Sequence, residues 1–247
     1  MPRLTVVNRA AKPVLLVDGE ELVGAKQNRV LNTTVLLAER SETIIPVSCT
    51  EQGRWTYASP HFGHSNHIMA ATLRKMKSCH VTDSLKNSDS YSADQGAIWA
   101  GIHSLAFQAN VQSPSSALHH VFAAKADELN DYLTAFQPFP KQKGLLVFIS
   151  GEVAGLDIVS LKRAYQVLHP TLVRSFAIDA LLKRTDTRTE KFVEKATAFV
   201  EEAAKCEESR HPSIGYGQDY RFEGQNVAGS ALVSHEHVIH ATLFNKV

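Results

Sequence analysis

Residues 18–55 read DGEELVGAKQNRVLNTTVLLAERSETIIPVSCTEQGRW, and this stretch decides the predicted fold. Its two runs rich in β-branched and apolar residues, 29–37 and 43–49, are typical of β-strands. The loop between them is short, which favours an antiparallel pair. Polar clusters lie at residues 26–29 and 49–55. Antiparallel pairing therefore predicts that the two clusters lie side by side at one end of the hairpin.

The composition is that of an ordinary globular protein. The chain has 247 residues, of which 44% are hydrophobic and 21% charged. Because 26 basic and 25 acidic residues leave a net charge of +1, we expect no general attraction to nucleic acid or to a membrane surface. No apolar run approaches the roughly 20 residues that span a bilayer. The N-terminus lacks the apolar core of a signal peptide, and the three cysteines are widely spaced, so we expect a cytoplasmic protein without a disulfide framework.

Further strands are predicted along the chain. Short strands are expected at 4–8 and 14–17, and Asp18-Gly19 predicts a type I′ hairpin turn after the second. The segments GLLVFI and EVAGLDIV flank Ser150-Gly151 and predict a second hairpin. At the C-terminus, YRF, NVAGSALV and HVIHATLF predict an antiparallel meander.

Helices are predicted mainly in the middle of the chain. Ser92-x-x-Gln95 fits a capping box at the start of one helix, and Ser113-Pro114 predicts the start of another. By contrast, residues 58–94 are expected to form loops, with one extended segment near 69–77.

Three later helical segments are also predicted. One covers 161–169 and is expected to end at Pro170. The next covers 171–182 and is apolar nearly all round, which indicates a buried helix. The last is predicted to begin at Thr187-x-x-Glu190.

These elements predict an α+β fold. We expect a mostly antiparallel sheet built from N-terminal, central and C-terminal strands, with the helices packed on one face. No shift in composition divides the chain, so residues 1–247 are predicted to form a single domain.

Four blocks occur in one order: DGEELVGAKQNRVLNTTVLL, IIPVSCTEQGRW, SADQGAIW, and GEVAGLDI followed by LVRSFAIDALL. Together they resemble the ARPP-1 family, whose name stands for "ARG and rhodanese-phosphatase-superfamily-associated protein", over residues 4–244. The name associates the family with ADP-ribosylglycohydrolase and rhodanese-phosphatase domains. The resemblance therefore implies a role near NAD or ADP-ribose metabolism, with such enzymes as pathway partners. It implies no reaction and no catalytic residues.

The first polar cluster contains Lys26, Gln27, Asn28 and Arg29, which we predict to be ligand-binding residues. An arginine offers a planar fork for bidentate contact with phosphate, and the two amides can bind a ribose or the edge of a base. The alternative is a polar strand end with solvated side chains.

The second polar cluster contains Glu51, Arg54 and Trp55. These residue types suit a nucleotide, because the guanidinium can bind phosphate, the indole can stack, and the carboxylate can act as general acid or base. Glu51 is therefore a candidate catalytic residue. The alternative is a structural Glu51–Arg54 ion pair beside a core tryptophan. The neighbouring Cys49 is more simply a buried, inert thiol than a nucleophile.

Two carboxylates in apolar segments are also candidates. Asp157 follows the strand VAGLD and is a candidate catalytic residue, while Asp179 lies in the buried helix. Since a buried carboxylate needs a partner, structural pairing with Arg29, Arg54 or Arg174 is the competing expectation.

Histidines suggest a metal only weakly. The trio at 61, 64 and 67 fits no closed zinc pattern, and the pair at 235 and 237 lies near a predicted turn. Phosphate-loop, dinucleotide-fold and hydrolase-elbow motifs are absent from the sequence. We therefore predict no metal and no cofactor.

Three functional hypotheses follow. The first is binding or processing of an ADP-ribose-like or other phosphorylated nucleotide metabolite. The second is a non-catalytic sensor or a domain that binds a protein partner. The third, which depends on the histidines alone, is a metal-dependent enzyme.

Overall fold

The computed structural model describes residues 3–183 and 190–246. The described helices are α1 (Ala71–Ser88), α2 (Gln95–Gln108), α3 (Leu118–Ala124), α4 (Ala126–Ala135), α5 (Lys162–Leu182) and α6 (Phe192–Ala203). The described strands are β1 (Arg3–Asn8), β2 (Val14–Leu16), β3 (Glu20–Gly24), β4 (Arg29–Leu31), β5 (Val35–Leu37), β6 (Ser41–Cys49), β7 (Phe62–Ile68), β8 (Gly144–Ile149), β9 (Glu152–Val159), β10 (Glu207–Pro212), β11 (Gln218–Glu223), β12 (Val227–Ser234) and β13 (His237–Asn245).

The strands form three antiparallel sheets. One has the order β1-β6-β4-β3-β7, the second has the order β10-β11-β12-β13-β9-β8, and the third pairs β2 with β5. The α+β class and the antiparallel pairing are confirmed. The expectation of one sheet that combines N-terminal, central and C-terminal strands is wrong, because the N-terminal strands form sheets of their own.

The predicted strand at 29–37 is divided in two. Residues 32–34 lie between β4 and β5 and are buried. Asn32 still bonds to β6, because its N–H donates to Pro46 O and its Oδ1 accepts from Ser48 Oγ, whereas the side chains of Thr33 and Thr34 reach the second sheet. Thr33 Oγ1 donates to Asp219 Oδ2 at 2.6 Å, and Thr34 Oγ1 lies 2.8 Å from His240 Nδ1. These bonds connect the break to the second sheet. They allow β4 to pair with β6 while β5 pairs with β2.

Of the two turns predicted from their sequences to form hairpins, one joins a pair of adjacent strands and the other does not. Ser150 and Gly151 have φ values of +53° and +80°, as a type I′ turn requires, and they join the paired strands β8 and β9. Asp18-Gly19 forms a turn, but β2 and β3 belong to different sheets. Gly19, with φ +83°, is needed because a Cβ atom there would lie 3.0 Å from Arg74 Cγ.

The expectation of loops over 58–94 with an extended segment near 69–77 is wrong, because residues 62–68 form β7 and residues 71–88 form α1. The buried residues of this helix include Ala71, Arg74, Ser78, Val81 and Leu85, at the alternating spacing of three and four that marks one helical face. A basic residue inside the stripe hides this periodicity in the sequence.

Arg74 is buried because it belongs to what we call the buried ionic cluster. The cluster comprises Asp18, Arg74, Lys77, Asp157 and His240. Arg74 Nη1 and Nη2 donate to the Asp157 carboxylate at 3.0 and 2.8 Å, and His240 Nε2 lies 3.2 Å from Asp157 Oδ1. Lys77 binds Asp18, which precedes β3. The cluster therefore joins the N-terminal part of the chain to the six-stranded sheet through α1.

Charge pairing controls the ionisation of Asp157. Burial raises the pKa of this carboxyl, but Arg74 and His240 outweigh that effect and lower the pKa to about 2. The predicted partners Arg29, Arg54 and Arg174 are wrong, and the observed partners are Arg74 and His240. The other predicted buried carboxylate, Asp179, accepts a hydrogen bond from the backbone N–H of Thr72 at 2.8 Å, in the first turn of α1.

Apolar contacts complete the core on both sides of the six-stranded sheet. Phe176 of α5 and Ala71 of α1 cluster with Phe244 on the face that carries Asp157. Phe199 of α6 clusters with Leu156, which alternates with Asp157 along β9, so α6 covers part of the opposite face. The predicted buried character of 171–182 is confirmed.

Several predicted helix ends differ from the structure. α2 is capped by Asp94, whose side chain accepts from Ala97 N at 3.0 Å, and not by Ser92. Ser113 begins a turn, and α3 starts at Leu118. α5 continues through Pro170, because residues before and after the proline pack in one apolar cluster.

The prediction at Thr187 lies outside the described residues. No described helix is long and apolar enough to cross a membrane.

The substitution Asp157→Asn is expected to lower the free energy of unfolding by about 3–5 kcal/mol, because it leaves the Arg74 charge buried without its carboxylate. Chemical denaturation near neutral pH measures the change. Glu152→Gln is the matched control, since the exposed Glu152–Lys195 pair contributes at most about 1 kcal/mol. Equal small losses in both variants would contradict a central role for the buried pair.

Candidate functional site

A cavity of about 460 Å³ opens where β4 and β6 meet the start of α2. Its volume falls in the range of small-molecule pockets, roughly 300–1,000 Å³. We call it the tryptophan pocket, because two indoles belong to its wall. It is lined by Gln27, Arg29, Asn32, Val47, Ser48, Cys49, Trp55, Ser92, Ala93, Gln95 and Trp99.

The pairing of β4 with β6 brings the two predicted polar clusters together. Arg29 is opposite Cys49 in the register. Gln27 Nε2 donates to the backbone carbonyl of Glu51 at 2.8 Å, and Asn28 N donates to Glu51 Oε2 at 3.2 Å. The predicted juxtaposition of residues 26–29 with 49–55 is confirmed, although the short β4 produces it and not one long strand.

In the described part of the chain, the guanidinium of Arg29 is bonded to protein atoms through only one of its nitrogens. Its Nη1 contacts Gln27 Oε1 and Asn28 O, each at 3.3 Å, and also contacts Cys49 Sγ. Within residues 3–183 and 190–246, Nε and Nη2 of Arg29 have no hydrogen-bond acceptor. Nε and Nη2 are the fork that Arg54 uses to bind Glu51, at 2.9 and 2.6 Å. Arg29 lines the pocket, and among the described residues its Nε/Nη2 edge is left available to an anion.

Glu51 itself is fully engaged by protein groups and does not line the pocket. Besides Arg54 and Asn28 N, it accepts from Ser115 Oγ at 2.7 Å, and it is 4% exposed. Burial raises the pKa of this carboxyl, but the hydrogen bonds from Arg54, Ser115 and Asn28 outweigh burial and lower it below the usual value. The geometry gives Glu51 the structural role that was the alternative at the sequence level.

The other predicted ligand-binding residues divide between the pocket wall and its support. Gln27 and Trp55 line the pocket with Arg29. Asn28 Oδ1 accepts from Gly24 N at 3.1 Å and from Arg54 Nη2 at 3.0 Å, so both side chains brace the loop before β4. Lys26 is exposed, with Nζ 5.2 Å from the ring centroid of Tyr57, and does not line the pocket.

Two pocket residues on α2 were missed. Gln95 Oε1 accepts from Cys49 N at 2.7 Å, and Gln95 Nε2 donates to Cys49 O at 2.9 Å, so this side chain holds the helix against the end of β6. Trp99 follows one turn later and lines the same pocket. The spacing of four residues in SADQGAIW was the available signal, since it places both side chains on one helical face.

The two indoles differ in their surroundings. Trp55 is 67% exposed on the loop after β6. Trp99 is partly buried, and its indole N–H has no hydrogen-bond partner among the described residues. The pocket thus has one exposed aromatic side chain on a loop and one partly buried aromatic side chain on α2, and both can pack against a flat ring.

Cys49 is poorly placed to act as a nucleophile. It is 8% exposed, and burial raises the pKa of its thiol even though the Arg29 charge acts in the opposite direction. Since the thiolate is the reactive form, this supports the prediction of an inert thiol.

Asp157 does not line the pocket either, because it is completely buried in the ionic cluster. The histidines also diverge. His64 is exposed near Glu20, whereas His67 stacks on Phe122 with ring centroids 4.7 Å apart. No group of three or more His, Cys, Asp or Glu within the described ranges could hold a metal ion, so the metal-dependent hypothesis has no ligand set there.

One unusual carboxyl lies behind the pocket wall. Glu21 is completely buried and accepts from Thr50 Oγ1 at 2.9 Å, and within the described part of the chain its other oxygen has no hydrogen-bond partner. Burial raises its pKa from 4.5 to about 7, and the charge of Glu51 acts in the same direction. Below about pH 7 this side chain is therefore expected to be protonated.

The pH dependence of stability tests this assignment. Because the folded pKa of Glu21 exceeds the unfolded one, its contribution is complete below pH 4.5 and is lost as the pH rises through about 7. Glu21→Gln removes the titration, so its stability relative to the natural chain should rise by about 2–4 kcal/mol between pH 4.5 and 8. Denaturation at several pH values measures this, with the exposed Glu42→Gln as control. A difference that is independent of pH would contradict the raised pKa.

No curated protein and no solved structure significantly matches the chain. A family model does match, over residues 1–244, and its description is "ARG and Rhodanese-Phosphatase-superfamily-associated Protein domain". The match covers nearly the whole sequence and includes every residue of the tryptophan pocket. The resemblance inferred from four sequence blocks is thereby confirmed, and the chain belongs to the ARPP-1 family.

Proposed function

We propose that the tryptophan pocket binds a phosphorylated nucleotide metabolite of the ADP-ribose class. The observation that carries this proposal is the free Nε/Nη2 fork of Arg29 in a cavity that also contains Trp55 and Trp99. A guanidinium fork matches the geometry of a phosphate, and indoles stack on bases. Both features lie in one pocket of suitable size.

The family description supports the same topic. It associates these domains with ARG and with the rhodanese-phosphatase superfamily. Enzymes of ADP-ribose and phosphate-ester metabolism would act on metabolites that carry phosphate beside a nucleoside. The proposed ligand class agrees with that association, and the predicted cytoplasmic location is where such enzymes would meet it.

The pocket supports binding more than processing. Within the described ranges, its lining contains no Asp, Glu or His. Glu51 is saturated by hydrogen bonds, and the thiol of Cys49 has a raised pKa. General acid–base catalysis needs a titratable group within reach of the substrate. We therefore favour a ligand-binding sensor, the second of the sequence-based hypotheses, over an enzyme whose chemistry depends on Glu51 or Asp157.

Arg29→Ala is expected to weaken the binding of ADP-ribose by at least tenfold, because a hydrogen-bonded charge contributes about 1.5–3 kcal/mol. Titration calorimetry measures the affinity. Arg163→Ala, an exposed arginine on α5, is the matched control and should bind like the natural chain. Unchanged affinity in Arg29→Ala would refute the site. Release of products in the same samples would refute a purely sensory role.

A second substitution tests the aromatic wall. Trp55→Ala should cost about 1–3 kcal/mol of binding free energy, which is the usual contribution of a base stacked on an aromatic side chain. It should leave stability nearly unchanged, because Trp55 is 67% exposed. Tyr57→Ala is the control, since Tyr57 is an exposed aromatic residue on the same loop that does not line the pocket. Equal effects of the two substitutions would argue against stacking on Trp55.

A further inference from the structure

We infer that the tryptophan pocket recognises one anionic group and the flat face of a ring, without reading the hydrogen-bonding edge of that ring. This inference rests on the proposed function and defines its ligand class more closely. It predicts a site that is selective for phosphate and tolerant of the base.

The amide side chains that line the pocket are hydrogen-bonded to other protein groups. Gln27 donates from Nε2 to Glu51 O and accepts at Oε1 from Arg29 and Cys49. Asn32 donates from Nδ2 to Tyr91 O at 2.9 Å, and its Oδ1 accepts from Ser48 Oγ at 2.8 Å.

The third amide is held in the same way. Gln95 uses its oxygen and its nitrogen on the backbone of Cys49. In each of the three amides, both the nitrogen and the oxygen are hydrogen-bonded to protein groups, and one N–H of each nitrogen is left over. A bidentate contact to a base, which needs nitrogen and oxygen together, would have to compete with these bonds.

These hydrogen bonds affect how selective the pocket can be among bases. Proteins commonly read adenine through the paired donor and acceptor of an asparagine or glutamine amide. A site that is built to hydrogen-bond one group can reject an analogue without it by several orders of magnitude, whereas stacking tolerates every base because each has a π-face. With its amides engaged, the pocket retains the second kind of recognition.

The charges of the pocket indicate a single anionic group. Arg29 is the charged residue among the described residues that line it. Arg54 and Lys26, which flank the pocket in sequence, contact other groups: Arg54 binds Glu51, and Lys26 Nζ lies over the ring of Tyr57. A second phosphate on the ligand would therefore find no cation in the lining, and we expect it to add little affinity.

Calorimetric titration with four probes tests the inference. AMP and IMP differ at the edge of the purine: from AMP to IMP an oxygen replaces the amino group, and the adjacent ring nitrogen changes from acceptor to donor. We expect their affinities to agree within fivefold. ADP should bind within fivefold of AMP, and adenosine should bind more than tenfold more weakly than AMP.

The outcomes separate this inference from the proposed function. If AMP binds through Arg29, as shown by loss in Arg29→Ala, but AMP and IMP differ by more than fivefold, the edge is read and the inference fails while the proposed function stands. A gain of more than fivefold from AMP to ADP would likewise overturn the single-anion assignment. If none of the four probes binds while ADP-ribose does, the inference fails alone. If ADP-ribose does not bind either, or if adenosine binds as well as AMP, the proposed function fails as well.

Discussion

The pairing of Arg74 with Asp157 is the constraint on which the rest of the structure depends. Both side chains are completely buried, so each charge requires the other. Arg74 belongs to α1 and Asp157 to β9, while the neighbouring Lys77 binds Asp18 at the entrance to β3. The cluster thus fixes the helix between two sheets that share no strand. Helical packing alone would hold these layers with far less specificity, because apolar contacts are non-directional.

Other arginines of the protein are also paired with carboxylates. Arg221 is bound by Asp219, and Arg54 is bound by Glu51, each through Nε and Nη2. Arg74 turns both Nη atoms to Asp157. These arginines serve the fold. Arg29 differs, because it lines a cavity and its Nε and Nη2 have no carboxylate among the described residues. An arginine held in place on one edge and unpaired on the other suits the proposed binding of an anion.

Local signals in the sequence predicted the elements that local chemistry determines. The hairpin at Ser150-Gly151, the C-terminal meander and the approach of residues 26–29 to 49–55 all follow from turn geometry and short connections. The failures share another cause. The partner of Asp157 lies 83 residues away in sequence, and the break at 32–34 depends on contacts with the C-terminal sheet. Such long-range bonds leave no periodic pattern, so a buried charged helix was expected to be a loop.

The candidate site shows why polar residue type alone is a weak guide to function. Lys26, Gln27, Asn28 and Glu51 were predicted from their chemistry, yet the structure engages them with protein or solvent at the ends of two strands. Strand ends leave backbone groups that need partners, and nearby amides and carboxylates satisfy them. What a ligand can meet is the remainder after those bonds are formed. Among the residues that line the pocket, that remainder includes the guanidinium of Arg29 and the two indoles, on which the proposed ligand class rests.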